Sequence, residues 1–509
     1  MLQYRLSRPG AAGLMSLAAL PALFAHAQAP TAVPPPAPNL EQRVTELTEE
    51  VDELKKLVHQ LQEQLVKANL LPSSQETPAV AAGIAPPGSS IPPAATAPVA
   101  ATSAPVAATS APSPTSGPLV APAPAPAPAP GWVAAYLPRG VTINALLDGY
   151  YEYNLNSPVG RVNELRAYDV SSNSFSLNQA DLVVEDAPDL GEGRRFGMRL
   201  DFQFGQATST LQGNPANELR PEVYRNIFQA YGTYIFPVAG GLTIDFGKWA
   251  SSLGIEGNYT KDQLNYSRSF WFDYLPFYHM GLRSKLQIND QVAVNLWVVN
   301  GTDQTEAFNN YKDQLLGLVL TPTPAISWTL NYYQGQEHPD VIYLQSQPPG
   351  SPTLPNSQGT YILPIANPPD GKLEIADTYI TWQATKALYL AAEADYVQER
   401  LYSYSSPQHV DGWAVYGGYQ ITPQIAVAAR AEYLADIGGL FSGTTQYLKE
   451  GTFTLDYRPA DGFLVRGEYR RDQSNRPYFL GSSLGLLETT QPTLGFGLVW
   501  WFGQKEGPW

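Results

Sequence analysis

Apolar and polar residues alternate along the second part of the chain. In segment 280–299, Leu286 and Ile288 share one face of an extended strand, whereas Arg283 and Lys285 share the other. Successive side chains of a β-strand point to opposite faces. The pattern therefore predicts strands that are apolar on one side and polar on the other.

Sixteen segments of this kind are predicted, at residues 142–154, 174–184, 195–204, 223–235, 242–249, 280–288, 291–299, 312–320, 326–334, 373–383, 388–399, 412–420, 425–434, 446–458, 463–471 and 491–502. Short connections alternate with long ones, and the long ones include 250–279, 300–311, 335–372 and 472–490. This organisation is typical of transmembrane barrels. We predict an all-β chain that forms an antiparallel transmembrane β-barrel of about 16 strands over residues 132–509. The alternative is a soluble sandwich or propeller, which would bury the apolar face.

The second predicted strand departs from the alternation. Gln179 and Asp181 fall on the face that Phe175 and Leu177 begin. One extra residue in a strand shifts every following side chain to the other face. A β-bulge in this strand would restore the register.

The N-terminus has the pattern of a secretory signal peptide. Residues 1–27 contain a basic start with Arg5 and Arg8, an apolar stretch, and a small-x-small cleavage motif at 25–27. Such a segment directs export and is removed. The alternative is a membrane anchor, although the chain contains no apolar run long enough for a helical span. A linker over 28–39 follows the signal peptide.

Residues 40–70 are predicted to form a coiled-coil helix. Apolar residues recur at alternating spacings of four and three, at Leu40, Val44, Leu47, Val51, Leu54, Val58, Leu61 and Leu65. Val at the a positions with Leu at the d positions favours a dimer, whereas Leu57 at a g position widens the seam and permits a trimer. A single amphipathic helix lying on the barrel is the alternative. Residues 71–131 are rich in Pro and Ala and are predicted to be a disordered, polyproline-like linker.

Composition excludes several functions. Cysteine is absent, so the chain has no disulfide and no thiolate metal site. The five His are scattered, and we expect no metal and no cofactor. The net charge is −15 without a basic cluster, which argues against nucleic-acid binding. No Ser lies in a nucleophile-elbow pattern, so we do not expect an enzyme.

The long connection 250–279, here called loop three, is rich in aromatic residues. A loop that only faces solvent rarely needs so many, whereas a loop that folds back into a barrel lumen can pack them there. It also carries the charged residues that we regard as candidates for a constriction, Glu256, Asp262, Arg268 and Asp273.

In this region the sequence resembles the bacterial outer-membrane family named "putative β-barrel porin". The resemblance rests on FQAYGTYIFP (228–237), LTIDFGKWASSLGIEG (242–257) and NYSRSFWFDYLPFYHMGLR (265–283), and it covers roughly 135–502. It implies passive diffusion of small hydrophilic solutes or ions, a third loop that narrows the pore, and trimeric assembly. One departure is the end of the chain: either Phe502 or Trp509 would be the terminal aromatic residue that directs assembly.

The polar strand faces give the candidate pore-lining residues Arg199, Asp201, Arg225, Asp245, Arg283, Lys285, Arg430, Glu432, Arg466 and Glu468. A charged lining sets the ion preference of a pore. We expect the carboxylates of loop three to face a basic wall formed by Arg199, Arg225, Arg283 and Lys285. The alternative is that these charges only solvate a wet wall or pair with one another.

The sequence thus predicts a porin in the bacterial outer membrane, in contact with its lipid. The coil and linker are expected in the periplasm, where the coil would aid homo-oligomerisation, with a trimer favoured. The alternative function is a structural tether that links the outer membrane to the cell wall or to a periplasmic partner. The short turns of the barrel are then expected on the periplasmic side.

Overall fold

A computed structural model of the chain describes residues 140–212, 218, 221–344, 361–505 and 508–509. The predicted signal peptide, coiled coil and Pro/Ala-rich linker lie outside the described residues.

Sixteen antiparallel strands close into one barrel, in which the last strand pairs with the first. They are β1 (Val141–Asn154), β2 (Ser174–Asp186), β3 (Phe196–Phe204), β4 (Ile227–Phe236), β5 (Leu242–Ala250), β6 (Tyr278–Asn289), β7 (Val292–Val299), β8 (Asp313–Thr323), β9 (Ile326–Gly335), β12 (Leu373–Gln383), β13 (Leu388–Glu399), β14 (Gln408–Gln420), β15 (Ile425–Ile437), β16 (Gln446–Ala460), β17 (Phe463–Ser474) and β20 (Thr490–Gly503). Two small ribbons pair β10 (Val341–Leu344) with β11 (Tyr361–Pro364) and β18 (Phe479–Leu480) with β19 (Leu487–Glu488). The predicted fold class is confirmed, and the sandwich alternative is wrong.

The alternation of side chains places polar groups inside the barrel and apolar groups outside. In β16, Thr452, Thr454 and Asp456 are buried towards the lumen, whereas the intervening Phe453 is 54% exposed on the outer surface. This is the arrangement of a barrel whose outer face meets lipid and whose interior is polar.

The irregularity in β2 is a β-bulge, as predicted. Asp148 pairs with Gln179, but the next residue, Gly149, pairs with Leu177, so Asn178 is the extra residue. Asn178 and Gln179 are both buried. The bulge therefore keeps the apolar start of β2 outside and turns its later polar residues into the lumen.

The predicted start of the fourth strand is wrong. Segment 223–235 was expected to be a continuous strand, but α2 (Pro221–Tyr224) forms a helical turn and β4 begins only at Ile227. Pro is favoured at the first position of a helix, because its ring fixes φ and it has no N–H to leave unpaired. The other described helices are α1 (Gln206–Gln212), the 3-10 turn Thr260–Asp262 and α3 (Phe270–Tyr274). In the described part of the chain, no helix is both long and apolar enough to span a membrane.

Candidate functional site: the barrel lumen and loop three

Loop three, which the structure bounds at residues 251–277, folds into the barrel, as its composition predicted. Its helix α3 begins after Ser269, whose hydroxyl accepts a hydrogen bond from the N–H of Phe272 at 2.9 Å. This N-cap satisfies one of the backbone donors that a helix start leaves open. Phe270, Trp271 and Phe272 of the helix are all buried.

The aromatic residues of loop three form an apolar core within the barrel. The Phe270 ring lies 6.1 Å from that of Phe441, between ring centroids, and the Phe272 ring lies 5.3 Å from that of Tyr168. Phe441 and Tyr168 belong to other long connections on the same rim. Burial of this apolar area stabilises the inward position of loop three.

Carboxylates of the barrel wall accept hydrogen bonds from the backbone of loop three. Glu432 on β15 accepts from the N–H groups of Phe270 and Trp271, at 2.9 and 3.0 Å. Glu468 on β17 accepts from Tyr266 and Ser267, at 2.6 and 2.8 Å. These carboxylates supply partners for N–H groups that α3 and the preceding turn cannot satisfy themselves.

Three arginines of the same wall donate hydrogen bonds to carbonyl groups of loop three, namely Arg466, Arg430 and Arg470. Arg466 on β17 donates to the carbonyl oxygens of Gln263, Asn265 and Thr260, at 2.7, 3.0 and 3.2 Å, and forms an ion pair of 2.7 Å with Asp456.

Arg430 on β15 donates to the carbonyl of Ser267 at 2.8 Å and pairs with Glu256 at 2.7 Å. It also pairs with Glu450 on β16 at 3.2 Å. Arg430 therefore joins an acid of loop three to an acid of the wall.

Tyr259 of loop three contacts the opposite wall. Arg199 on β3 donates to the Tyr259 hydroxyl at 2.9 Å, and that hydroxyl donates to Asp201. Gln229 on β4 donates to Asp201 at 3.0 Å. Loop three thus reaches across the lumen from β15–β17 to β3 and β4.

Arg283 and Asp245 form a pair within the wall. The Arg283 Nε lies 2.6 Å from a carboxylate oxygen of Asp245 on the neighbouring strand, and the guanidinium lies 5.1 Å from the ring centroid of Trp249. Lys285 is on the same face of β6, nearer to the short-turn rim. The expectation that the loop-three carboxylates face Arg199, Arg283 and Lys285 is wrong for Glu256, whose partner is Arg430 on the other side of the lumen.

Arg225 does not lie on a barrel strand. It precedes β4, is partly exposed, and lies 3.9 Å from Glu222. Its assignment to the pore wall is wrong because the strand starts later than the alternation indicated.

The remaining candidates lie within loop three. Arg268 is buried and donates to the carbonyls of Gly257 and Asn258, both at 3.0 Å. These contacts within loop three stabilise the conformation of the loop. Asp273 is buried in the first turn of α3. Asp262 pairs with Lys261 at 2.7 Å.

Neutral side chains that sequence reasoning missed complete the contacts. The Asn258 side-chain oxygen accepts from Gln179 on β2 and Gln203 on β3, both at 3.0 Å. The Thr260 hydroxyl donates to Asp148 on β1 at 2.7 Å. The candidates were chosen by their charge, and amide and hydroxyl side chains are neutral. The sequence therefore gave no signal for Asn258 or Thr260.

The C-terminal end of loop three is held by Asp303, in the connection between β7 and β8. Its carboxylate accepts from the N–H groups of Phe277 and Tyr278, at 2.7 and 3.0 Å. Burial raises the pKa of Asp303 to about 8. This anchor of loop three therefore changes its charge near pH 8.

Loop three fills the part of the lumen in which it contacts the barrel wall. The inward-facing Asp201 and Arg466 are both 0% exposed. If the wall lined a wide, water-filled pore, such groups would be exposed to water. Loop three therefore occupies this part of the lumen.

The two candidate terminal aromatic residues occupy different environments. Phe502 is 72% exposed on the outer surface near the end of β20, whereas Trp509 is 6% exposed. The Trp509 ring lies 5.8 Å from that of Tyr259, and the Lys261 ammonium lies 4.5 Å from the Trp509 ring centroid. Trp509 therefore packs against loop three.

We predict that Phe502→Ala lowers the yield of assembled barrel, whereas Trp509→Ala leaves it unchanged. Phe502 faces the lipid from the last strand, whereas Trp509 packs against loop three inside the barrel. The fraction of heat-modifiable protein on electrophoresis measures assembly. Equal loss of assembly in both variants would contradict this assignment.

Comparison with known proteins identifies the family. The sequence model of the family described as "Putative beta-barrel porin-2, OmpL-like" matches residues 140–502. Among curated protein sequences, none matches this chain.

Several solved structures are similar in fold at low identity. OmpTdeltaL8, a loop L8 deletion mutant of OmpT from Vibrio cholerae, is 11% identical with a TM-score of 0.44, and the match covers 71% of this chain and 99% of that one. The anion-selective porin from Comamonas acidovorans is 8% identical with a TM-score of 0.45, with 71% and 99% covered. Salmonella typhi OmpF in complex with daunomycin is 12% identical with a TM-score of 0.40, with 71% and 97% covered.

At these identities and TM-scores, the assignment rests on the family model, which covers the whole barrel. The closed barrel of sixteen strands, its polar interior and its apolar exterior agree with that assignment. The chain belongs to the outer-membrane β-barrel porin family described as porin-2, OmpL-like.

Proposed function

We propose that the chain forms a channel for passive diffusion of small hydrophilic solutes or ions, whose passage is limited by loop three. The observation that carries this proposal is the hydrogen bonding of loop three to both sides of a charged lumen, through Arg466 and Glu468 on one side and Arg199 on the other. Pairs of opposite charge across a narrow passage create a transverse field, which favours small polar solutes.

Purified protein in a planar bilayer is expected to show stepwise conductance. The steps should be small for a barrel of sixteen strands, because loop three occupies the lumen. Heat-modifiable electrophoresis of the same sample verifies that the barrel is folded. A folded barrel that gives no steps would contradict the channel proposal.

The pore-lining roles of Asp245, Arg283 and Lys285 remain predictions, as do those of the other wall charges. Their support is that β5 and β6 direct these side chains to the inner face of the barrel. The family and fold are those of a channel rather than of an enzyme.

The coil over 40–70 is proposed to aid homo-oligomerisation from the periplasm. Its support is the unbroken apolar seam in the sequence. The alternative role, a tether to the cell wall or to a periplasmic partner, rests on the same seam and the long Pro/Ala-rich linker. Conductance separates the two functions, because a barrel that serves only as a tether need not conduct.

Replacing Val51 and Leu54 by Asp is expected to lower the temperature at which the oligomer dissociates, without preventing the barrel from folding. Two charges in the apolar seam would cost roughly 3 kcal/mol of coil stability or more. The control is Glu53→Asp, at a position outside the predicted a/d seam. If the double variant dissociates at the wild-type temperature, the coil does not hold the oligomer together.

A further inference from the structure

Three carboxylates of the barrel wall lie together where loop three enters the lumen. They belong to Asp377 on β12 and to Glu393 and Asp395 on β13, and one oxygen of each lies within 4.8 Å of the others. Asp377 and Asp395 are directly opposite each other in the paired strands. Like charges in such a position destabilise a sheet.

Two of the three carboxylates are bonded to the beginning of loop three. Asp377 accepts from the N–H of Gly254 at 3.0 Å, and Glu393 accepts from the N–H of Ile255 at 3.0 Å. Gly254 has φ +80°, and a Cβ atom there would lie 3.0 Å from Glu393. The backbone thus approaches the carboxylates closely because this position has no side chain.

Asp395 has a different environment. It is 5% exposed, and neither of its carboxylate oxygens accepts a hydrogen bond from an N–H or hydroxyl donor among the described residues; its polar neighbour is the carboxyl group of Asp377. Within the described ranges, no ion pair with Arg, Lys or His involves Asp377, Glu393 or Asp395. A buried carboxylate without a partner is unfavourable by several kcal/mol, on the order of the cost of a buried unpaired charge.

We propose that Asp377, Glu393 and Asp395 bind a divalent cation, for which Ca²⁺ is the best candidate. All the donors are oxygen atoms, and Ca²⁺ takes carboxylate and carbonyl oxygens in flexible geometry. The carbonyl of Ser252 in loop three accepts a 3.2 Å hydrogen bond from Asn331, which also donates to Asp377 at 2.7 Å. A cation at this site offsets the repulsion between the acids and links β12 and β13 to the start of loop three.

Binding of Ca²⁺ at this site does not require that the barrel conducts. Ca²⁺ binding to the refolded full chain in detergent, measured by isothermal titration calorimetry, should show one site per chain. Tb³⁺ as a probe should report the same site by sensitised luminescence, because the Tyr416 hydroxyl lies 3.0 Å from Glu393.

Asp395→Asn is expected to weaken Ca²⁺ binding at least about tenfold, since loss of a direct ligand costs no less than loss of a supporting group. Glu393→Gln should weaken Ca²⁺ binding by a similar factor. It keeps the test valid if Asp395→Asn does not fold. Asp411→Asn on the adjacent β14 removes the same charge from a half-exposed position and should bind Ca²⁺ as the wild type does.

Two results would overturn the proposal. One is the absence of a stoichiometric Ca²⁺ site in folded wild-type protein. The other is equal binding by the wild type and both cluster variants, which would place the cation elsewhere on this acidic chain. If Asp395→Asn raises thermal stability while the wild type binds no Ca²⁺, a proton shared between the carboxylates balances the charge instead.

Discussion

Deletion of residues 258–270 is expected to raise single-channel conductance about twofold or more, because it removes the part of loop three that fills the lumen. The deleted segment carries Tyr259, Thr260 and Asn265, which bond to strands on both sides of the barrel. Near the two ends of this segment, the N–H of Ser269 donates to the Glu256 carboxylate at 2.6 Å. A short Gly linker can therefore rejoin the chain without stretching the barrel.

Planar-bilayer recordings compare the conductance of the deletion variant with that of the wild type. The heat-modifiable mobility of each sample shows whether the barrel is folded. Shortening the exposed connection at 401–406, on the same rim, is the matched control and should leave conductance unchanged. Wild-type conductance in a folded deletion variant would show that loop three does not limit passage.

Arg466→Met is expected to free the middle of loop three from the wall. Arg466 is the donor for three loop-three carbonyls and the ion-pair partner of Asp456. Breaking a buried ion pair by removing one partner costs about 3–5 kcal/mol, because the other charge stays buried. Methionine keeps most of the volume, so the effect comes from lost donors rather than from a cavity.

Hydrogen exchange detects this change locally. The amides of residues 260–265 should lose protection in Arg466→Met, whereas the amides of β17 keep theirs. Arg471→Met is the control, since Arg471 lies on the same strand but is exposed on the outer side. The double variant Arg466→Met with Asp456→Asn should regain part of the lost stability, because it removes the unpaired carboxylate. Unchanged exchange at 260–265 would mean that other contacts suffice to hold the loop.

The strands of the barrel could be predicted because their signal is local. A side-chain period of two can be seen within eight or ten residues, and the lipid and the lumen impose opposite polarity on the two faces. Even the bulge at Asn178 was visible, because Gln179 and Asp181 broke the alternation. The helical turn at Pro221–Tyr224 was missed because the alternation of the following residues was extended through it.

The inward fold of loop three could also be predicted, since its aromatic residues needed a buried environment. The sequence alone therefore determined the barrel, its polar inner face and the loop that enters it. Each of these depends on neighbouring residues or on the composition of one segment.

Only the tertiary structure decided which charges meet. Glu256 pairs with Arg430, which is 174 positions away in the sequence, rather than with the nearer Arg283. Arg283 instead pairs with Asp245 across adjacent strands. Closure of the barrel brings distant strands around one loop, and a buried charge takes the partner that this geometry places within reach. A local sequence pattern gives no information on the distance in space between residues that are far apart in the chain.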